Sequence, residues 1–534
     1  MHRLYFLIAV FFCIPGVFAQ RAGFPGVRAD TAAAAAKKAW LGQAEMKGKG
    51  SPVNVILIVA DDLGKHDLSV YGNLLIETQH IDRMAREGAL FSDGYSTASV
   101  CSPSRAGLLT GRYQQRFGYH MQPHQRYPRN RTEWWLFKNL VNTGDMEPAS
   151  YGVYPSAKQV PALGLPASEL ALSEVFRHQG YATAWIGKWH LGYAEPMLPV
   201  NFGFDYSYGF YEAFSLFADP HDPAVVNARI NEFTDKHIWR GARKGPCAIR
   251  ENGVLIDEKE YITYAFFRKA EEFIKKHREQ PFFVYLPLSA PHTPYQAPRD
   301  IYNELGHIQN HNKRVYYAMI LAMDRALGRM LEMLEEEGLD RNTLIVFTSD
   351  NGAALYSRTV DNKPLNGGKM TLFEGGINVP FIMYHKGQIA PGTLVKHAVN
   401  HCDIFATLSE VAGARLPQDR IFDGVSLLPW VSAGRMQEPQ QPPHQALYWM
   451  ADYNLAIRTA HFKLIVNTLD KTAELYQLQN DPGESTDVSG QYPQQMAELQ
   501  HMLSEWAALM PPAAWPAIMD YRVTINGKLY RWAV

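Results

Sequence analysis

An α/β fold, with a large, mainly parallel sheet flanked by helices and a smaller C-terminal α+β subdomain, is what the sequence predicts. Runs of strand length alternate with helical patterns, and a strand that passes through a helix returns to a parallel neighbour. The runs are nearly apolar from end to end, as strands covered on both faces require. At 534 residues with 46% hydrophobic content, the chain can bury one large core and a second, small one.

The elements follow in order. His2 and Arg3 precede an apolar run from Leu4 to Phe18, and Val17-Phe18-Ala19 suits a signal peptidase, so residues 1–19 read as a signal peptide and the protein as exported, periplasmic or secreted. Residues 20–50 form an Ala- and Lys-rich leader with a short helix at Thr31–Lys47. No later stretch reaches the roughly 18 apolar residues of a membrane span. Residues 51–435 carry the catalytic domain. Its strands are Val53–Ala60, Thr183–Ile186, Pro281–Leu288, Thr343–Thr348 and Val379–Tyr384, and its helices include Leu170–Gln179, Tyr261–Glu279 and Val315–Glu337. Gln437–Pro443 reads as a linker. Residues 436–534 then form the subdomain, with short antiparallel strands at Ala446–Trp449, Leu455–Thr459, Phe462–Asn467 and Ala473–Gln477 and a helix at Pro493–Met510.

Charge narrows the partners. With 52 Lys and Arg against 53 Asp and Glu, the net charge of -1 leaves no basic footprint for nucleic acid and no polybasic membrane patch. Removing the signal leaves Cys101, Cys247 and Cys402, an odd number for an oxidising compartment. Cys247 and Cys402 could pair; Cys101 then stands alone.

The polar residues fall at strand ends. Asp61-Asp62 follow the first strand, Asp350-Asn351 follow Thr343–Thr348, Lys188 and His190 follow the strand ending at Ile186, and His292 follows the one ending at Leu288. In an open parallel sheet the carboxyl ends of the strands share one edge, where ligands bind. Three carboxylates and one amide are hard oxygen donors suited to Ca²⁺ or Mg²⁺. Gathered without a cation they would repel and raise one another's pKa. Cys101 opens a helix, with Ser102 as N-cap, Pro103 at the first position and Gly111 ending it. Taken alone, a cysteine there is either a low-pKa thiolate nucleophile or a buried structural residue.

The run Cys101-Ser102-Pro103-Ser104-Arg105 with Leu109-Thr110-Gly111-Arg112 resembles the signature of the type I, formylglycine-dependent sulfatases of the alkaline phosphatase-like superfamily. So, in family order, do Asn54 to Gly64, Thr78 to Phe91, Ile186 to Gly192, Ala290 to Pro294, Thr348 to Gly352, Gly367 to Lys369, Glu374 to Gly376 and Asp481 to Glu484. The resemblance implies that a maturation enzyme oxidises Cys101 to formylglycine, whose hydrate attacks sulfur. It implies that Asp61, Asp62, Asp350 and Asn351 hold a divalent metal, typically calcium. Lys188 and Lys369 are implied to grip sulfate, Arg105 to orient the nucleophile, His190 to assist sulfate elimination and His292 to protonate the leaving alcohol.

A long insert, residues 113–165, carries Tyr113, Tyr119, His120, His124, Tyr127, Trp134, Trp135 and Phe137. Its place beside the signature helix predicts a roof over the pocket, with aromatic faces for sugar rings and Arg126, Arg129 and Arg131 for further sulfates. An ordinary packed insertion is the alternative, and Asn130-Arg131-Thr132 is a formal glycosylation sequon. The leading expectation is a sulfuric ester hydrolase acting on a sulfated oligosaccharide or polysaccharide. A phosphonate or phosphodiester hydrolase of the same superfamily, or a glycan-binding protein with unmatured Cys101, are the other readings.

Overall fold

The computed structural model describes residues 30–43, 52–141, 143–150, 152–230, 235–432, 439 and 441–534. The signal peptide, most of the leader and the boundary at 435–436 lie outside the described residues. Helix α1 spans Thr31–Leu41, opened by Asp30, whose carboxylate accepts from Ala33 N–H at 2.9 Å.

Ten strands make the main sheet: β1 (Asn54–Ala60), β2 (Ala89–Phe91), β3 (Ala182–Lys188), β4 (Tyr206–Phe210), β5 (Arg250–Glu251), β6 (Val254–Leu255), β7 (Phe282–Pro287), β8 (Thr343–Ser349), β9 (Phe381–Tyr384) and β10 (Thr393–Val395). Their order is β10-β2-β9-β8-β1-β7-β3-β4-β5-β6. The five central strands β8, β1, β7, β3 and β4 are mutually parallel. β9 runs antiparallel to β8, so the strand foreseen at Val379–Tyr384 belongs to the sheet's minority direction.

All seven residues of β1 are buried. Because successive side chains point to opposite faces, Val55, Leu57 and Val59 pack into one core, while Ile56, Ile58 and Ala60 pack into another. The second core is covered by α6 (Ile262–Lys276) and α7 (His311–Glu336), and the first by α5 (Leu172–His178) and α3 (Cys101–Thr110). Burying each large aliphatic side chain stabilises the fold by roughly 1.5–3 kcal/mol. That doubly covered sheet is why the runs in the sequence are continuous rather than alternating.

The subdomain is an antiparallel meander of β11 (Leu447–Ala451), β12 (Asn454–Arg458), β13 (Phe462–Asn467) and β14 (Thr472–Gln477), with α8 (Pro493–Ala508) on one face. Leu455, Ile457, Leu464 and Leu475 meet Leu499, Leu503 and Trp506 there, whereas Trp449, Ala456 and Ile465 on the other face join the catalytic core. A buried ion cluster pins this second face: Lys463 Nζ lies 2.9 Å from Glu374 and 2.8 Å from Glu484. Replacing Lys463 with Met leaves two buried carboxylates without their counter-ion, which costs about 3–5 kcal/mol. Thermal unfolding followed by circular dichroism should show a clear loss of Tm, and an unchanged Tm would show that the cluster does not fasten the subdomain.

Among the strands not foreseen are the last two, β15 (Met519–Ile525) and β16 (Lys528–Ala533). They form a hairpin around Asn526-Gly527, both at positive φ, and β15 also pairs with Met146–Pro148 of the insert.

Candidate active site

Backbone register brings the polar residues together. Ala60 lies opposite Ser349, Asp350 N–H donates to Ala60 O at 3.0 Å, and Asp61 N–H donates to Ala290 O at 3.0 Å. Three strand ends are thus laced at one point, with Asp61-Asp62, Asp350-Asn351 and the loop to His292 leaving it side by side. Asp62 and His190 both have left-handed backbones, at φ 59° and 58°, which turn their side chains back over the sheet edge. Gly352 lets Gly375 O pass where a β-carbon would sit 1.8 Å away, so only glycine fits beside Asn351.

The helix α3 begins at Cys101 itself, with Val100 as N-cap, which corrects the expected start at Ser102 and Pro103. Ser102 Oγ does not cap; it bonds His190 O at 2.6 Å and Tyr119 Oη at 2.5 Å. Gly111 ends the helix in the left-handed region, as expected. All ten residues of α3 are buried, and Cys101 is 1% exposed.

All ten residues singled out in the sequence lie in one site. Cys101 Sγ is 3.4 Å from Asp61 and 3.6 Å from Asp62. Lys188 Nζ bonds both oxygens of Asp61, at 2.9 and 2.7 Å, and Lys369 Nζ lies 2.9 Å from Asp62. Arg105 donates through Nε to Asp350 at 2.8 Å and through Nη1 to Lys188 O at 3.3 Å. Asp350 also accepts the Asp62 N–H at 3.2 Å, and Asn351 Nδ2 donates to Asp62 at 2.8 Å. His292 Nδ1 meets Thr293 O at 2.6 Å, which makes Nδ1 the protonated nitrogen and leaves Nε2 as the lone pair, 3.6 Å from Asp62.

The expected mutual repulsion of the carboxylates is answered by the protein's own cations. Lys188 pairs with Asp61, Lys369 with Asp62, and Arg105 with Asp350 and, at 3.5 Å, with Asp61. Burial pushes Asp61 up to about 7. Burial acts on Asp62 too, but Lys369 and His292 outweigh it and hold this carboxyl below its usual range. Asp350 is likewise held down, with Arg105 and Lys188 overcoming burial. The Cys101 thiol is pushed well above its usual range by burial and by Asp350, in the direction opposite to the low-pKa thiolate that its helix position suggested. Burial and Lys369 lower His292 to about 3, and burial with Lys188 and Arg105 lowers His190 well below its usual value.

Ligand atoms of Asp61, Asp62, Cys101 and His292 lie within 4.8 Å of one another, a group that could hold a metal ion. Asn351 Oδ1 is buried without a hydrogen-bond partner among the described residues, an oxygen left for a cation to satisfy.

Cys101, Cys247 and Cys402 are separate buried thiols, so the possible Cys247–Cys402 pair does not form. The insert reaches the site as foreseen, through Tyr119 to Ser102 and through Gln125 Nε2 to Glu212 at 2.6 Å. Of its aromatics, Tyr113, Tyr119 and Tyr127 are buried in the cores, while Trp135 is exposed. Arg129 is taken up by Glu133 one turn into helix α4 (Arg131–Leu140), and Asn130 of the sequon is that helix's N-cap. Two neighbours escaped sequence reading. Glu212 follows β4, a strand not foreseen, and its Oε2 lies 3.8 Å from His190 Nε2. His401 lies beneath, between Thr348 Oγ1 at 3.1 Å and Ser104 Oγ at 3.3 Å. The aromatic run Tyr206–Phe210 before Glu212 was the available signal.

Comparison with known proteins bears on this arrangement. A family model described as Sulfatase matches residues 53–414, and one described as N-sulphoglucosamine sulphohydrolase, C-terminal, matches residues 368–509. The N-acetylgalactosamine-6-sulfatase of Canis lupus familiaris is 31% identical over 449 residues, covering 83% of this chain and 77% of that protein. An arylsulfatase of Hemicentrotus pulcherrimus is 30% identical over 423 residues, covering 77% and 66%. The crystal structure of Ps i-CgsB in complex with k-i-k-neocarrahexaose superposes with a TM-score of 0.72 at 28% identity, covering 87% of this chain and 95% of that one.

Proposed function

The chain belongs to the sulfatase family and is a sulfuric ester hydrolase, and from that premise we propose that it releases inorganic sulfate from a sulfated oligosaccharide or polysaccharide. One observation carries the reading: Cys101 stands at the first turn of a buried helix, within 3.6 Å of two carboxylates that are themselves held by two lysines. A helix N-terminus and two ammonium groups around one side chain make a cradle for a tetrahedral anion. The relatives named for N-acetylgalactosamine 6-sulfate and the neighbour solved with a neocarrahexaose support a carbohydrate as the group that carries it.

In this reading a formylglycine-generating enzyme converts Cys101, and the hydrated aldehyde supplies the hydroxyl nucleophile. Asp61, Asp62, Asp350 and Asn351 would hold Ca²⁺, with Mg²⁺ also suited to the oxygen donors, and the ion would supply Lewis acidity and a template. Lys188 and Lys369 grip sulfate oxygens, offsetting charge that builds during transfer. Arg105 holds Asp350 and the Lys188 carbonyl in place. His190 takes a proton from the nucleophile at residue 101, and His292 offers a proton from Nε2 to the leaving alcohol. Because His292 is neutral in the molecule as it stands, the negative charge of bound sulfate has to bring that proton to it. The apolar N-terminus fits export before residue 20 is reached; no helix among the described residues is long and apolar enough to cross a membrane.

The test is sulfate release from N-acetylgalactosamine 6-sulfate and from carrageenan oligosaccharides, run beside an aryl phosphonate monoester. Faster turnover of the phosphonate overturns the reading in favour of a phosphonate hydrolase. Chelation should abolish turnover and lower Tm, with Ca²⁺ restoring both, since an ion that binds only the folded site stabilises the fold. Fully active enzyme with no metal by elemental analysis would remove the ion from the account.

A further inference from the structure

We propose that Glu212 is a positioning residue for His190: its carboxylate orients the imidazole and stabilises the imidazolium formed when His190 takes a proton from the nucleophile at residue 101. This deepens the proposed function and rests on it.

Strand register builds the pair. Lys188 at the end of β3 lies opposite Phe210 at the end of β4. The ladder runs on past both strands: Trp189 N–H donates to Phe210 O at 3.0 Å and His190 N–H to Tyr211 O at 3.1 Å, which delivers His190 beside residue 212. From the other side, His190 O accepts Ser102 Oγ. The ring itself is 3% exposed, and neither nitrogen has a hydrogen-bond partner among the described residues. An imidazole pinned by its backbone and idle at both nitrogens is placed for something other than structure.

The cations facing His190 are Lys188, Arg105 and Lys369, and each of them opposes a second positive charge. Glu212 supplies the counter-charge. Its Oε2 lies 3.8 Å from His190 Nε2, and it is held there by Gln125 Nε2 on Oε1 at 2.6 Å and by Ala213 N–H on Oε2 at 2.6 Å. That spacing is an ion-pair distance rather than a hydrogen bond, so the contact gains most once the ring is charged. In the step itself the O–H bond at residue 101 breaks, its electron pair stays on that oxygen, and an N–H bond forms at Nδ1. Nε2–H then faces Glu212, and the proton later leaves to water. A carboxylate oriented on an imidazole in this way fixes the tautomer as well as the charge.

Glu212→Gln keeps the size of the side chain and an acceptor for Gln125 while removing the charge. In full-length protein labelled with ¹⁵N-histidine, His190 is identified by the signal lost in His190→Ala. Its titration is expected to fall by about one pH unit or more in Glu212→Gln, because a counter-charge at this range favours the protonated ring by that much. With 4-nitrophenyl sulfate, kcat should fall about 10- to 100-fold and the acidic limb of the pH profile should move to lower pH. Glu212→Asp retains the charge and should titrate near wild type; it also serves if the Gln variant does not fold. An unmoved His190 titration overturns the pairing, and so does a loss of kcat with an unmoved limb. Wild-type protein that turns over no sulfate ester counts against the proposed function, while the titration still judges the pair.

Discussion

Cys101→Ala is expected to abolish sulfate release, by on the order of 10⁵-fold or more, while the protein stays folded. Losing the nucleophile of a covalent mechanism removes nearly all catalysis, since the remaining groups act through it. Folding should survive because Val100, not residue 101, caps α3, and alanine is the better helix former. The vacated sulfur leaves a small cavity costing about 1 kcal/mol. Ion chromatography of released sulfate, with circular dichroism on the same sample, makes the check. Retained turnover would end the role of residue 101, and so would fully active wild-type protein whose tryptic peptide carries an unmodified cysteine.

His292→Ala should separate substrates by their leaving groups. A positioned acid contributes on the order of 10²- to 10⁴-fold. That much is expected to be lost on a carbohydrate sulfate, whose alkoxide is a poor leaving group, and markedly less on 4-nitrophenyl sulfate, whose phenolate needs little protonation. Lys369→Ala should depress both substrates alike, because the charge it offsets is on the sulfate itself. Equal losses on both substrates for His292→Ala would leave His292 as a sulfate-binding residue. The position of Nε2, free while Nδ1 is tied to Thr293 O, is what makes the imidazole available for this work.

How much of this could be read from the sequence follows from how local each signal is. The central strands were legible because burial on both faces writes a continuous apolar run, and β1, β3, β7 and β8 appear within a few residues of their expected bounds. The site was legible because parallel strands put their carboxyl ends on one edge, so short polar motifs far apart in sequence had to meet. The final hairpin was not. Asp520, Arg522 and Thr524 alternate with apolar residues along a strand whose partner, Met146–Pro148, comes from a distant insert. Asn526-Gly527 was a turn signal in plain view, but a turn does not name the third strand. Glu212 was missed for a related reason: its meaning depends on a ladder between β3 and β4 that residues 206–212 do not reveal alone.

The pairing of the insert with the end of the chain bears on biosynthesis. Trp515 Nε1 bonds Met121 O across 394 residues and His120 bonds Pro511 O across 391, so the segment that carries Gln125 to the site is tied to residues synthesised long after it. Contacts of such separation form late. Residues 510–534 lie beyond both matched family ranges, 53–414 and 368–509, yet they pair with the insert that reaches the site. A recombinant protein trimmed at residue 509, the end of the second family range, would lose that pairing while keeping every residue of the sequence motifs.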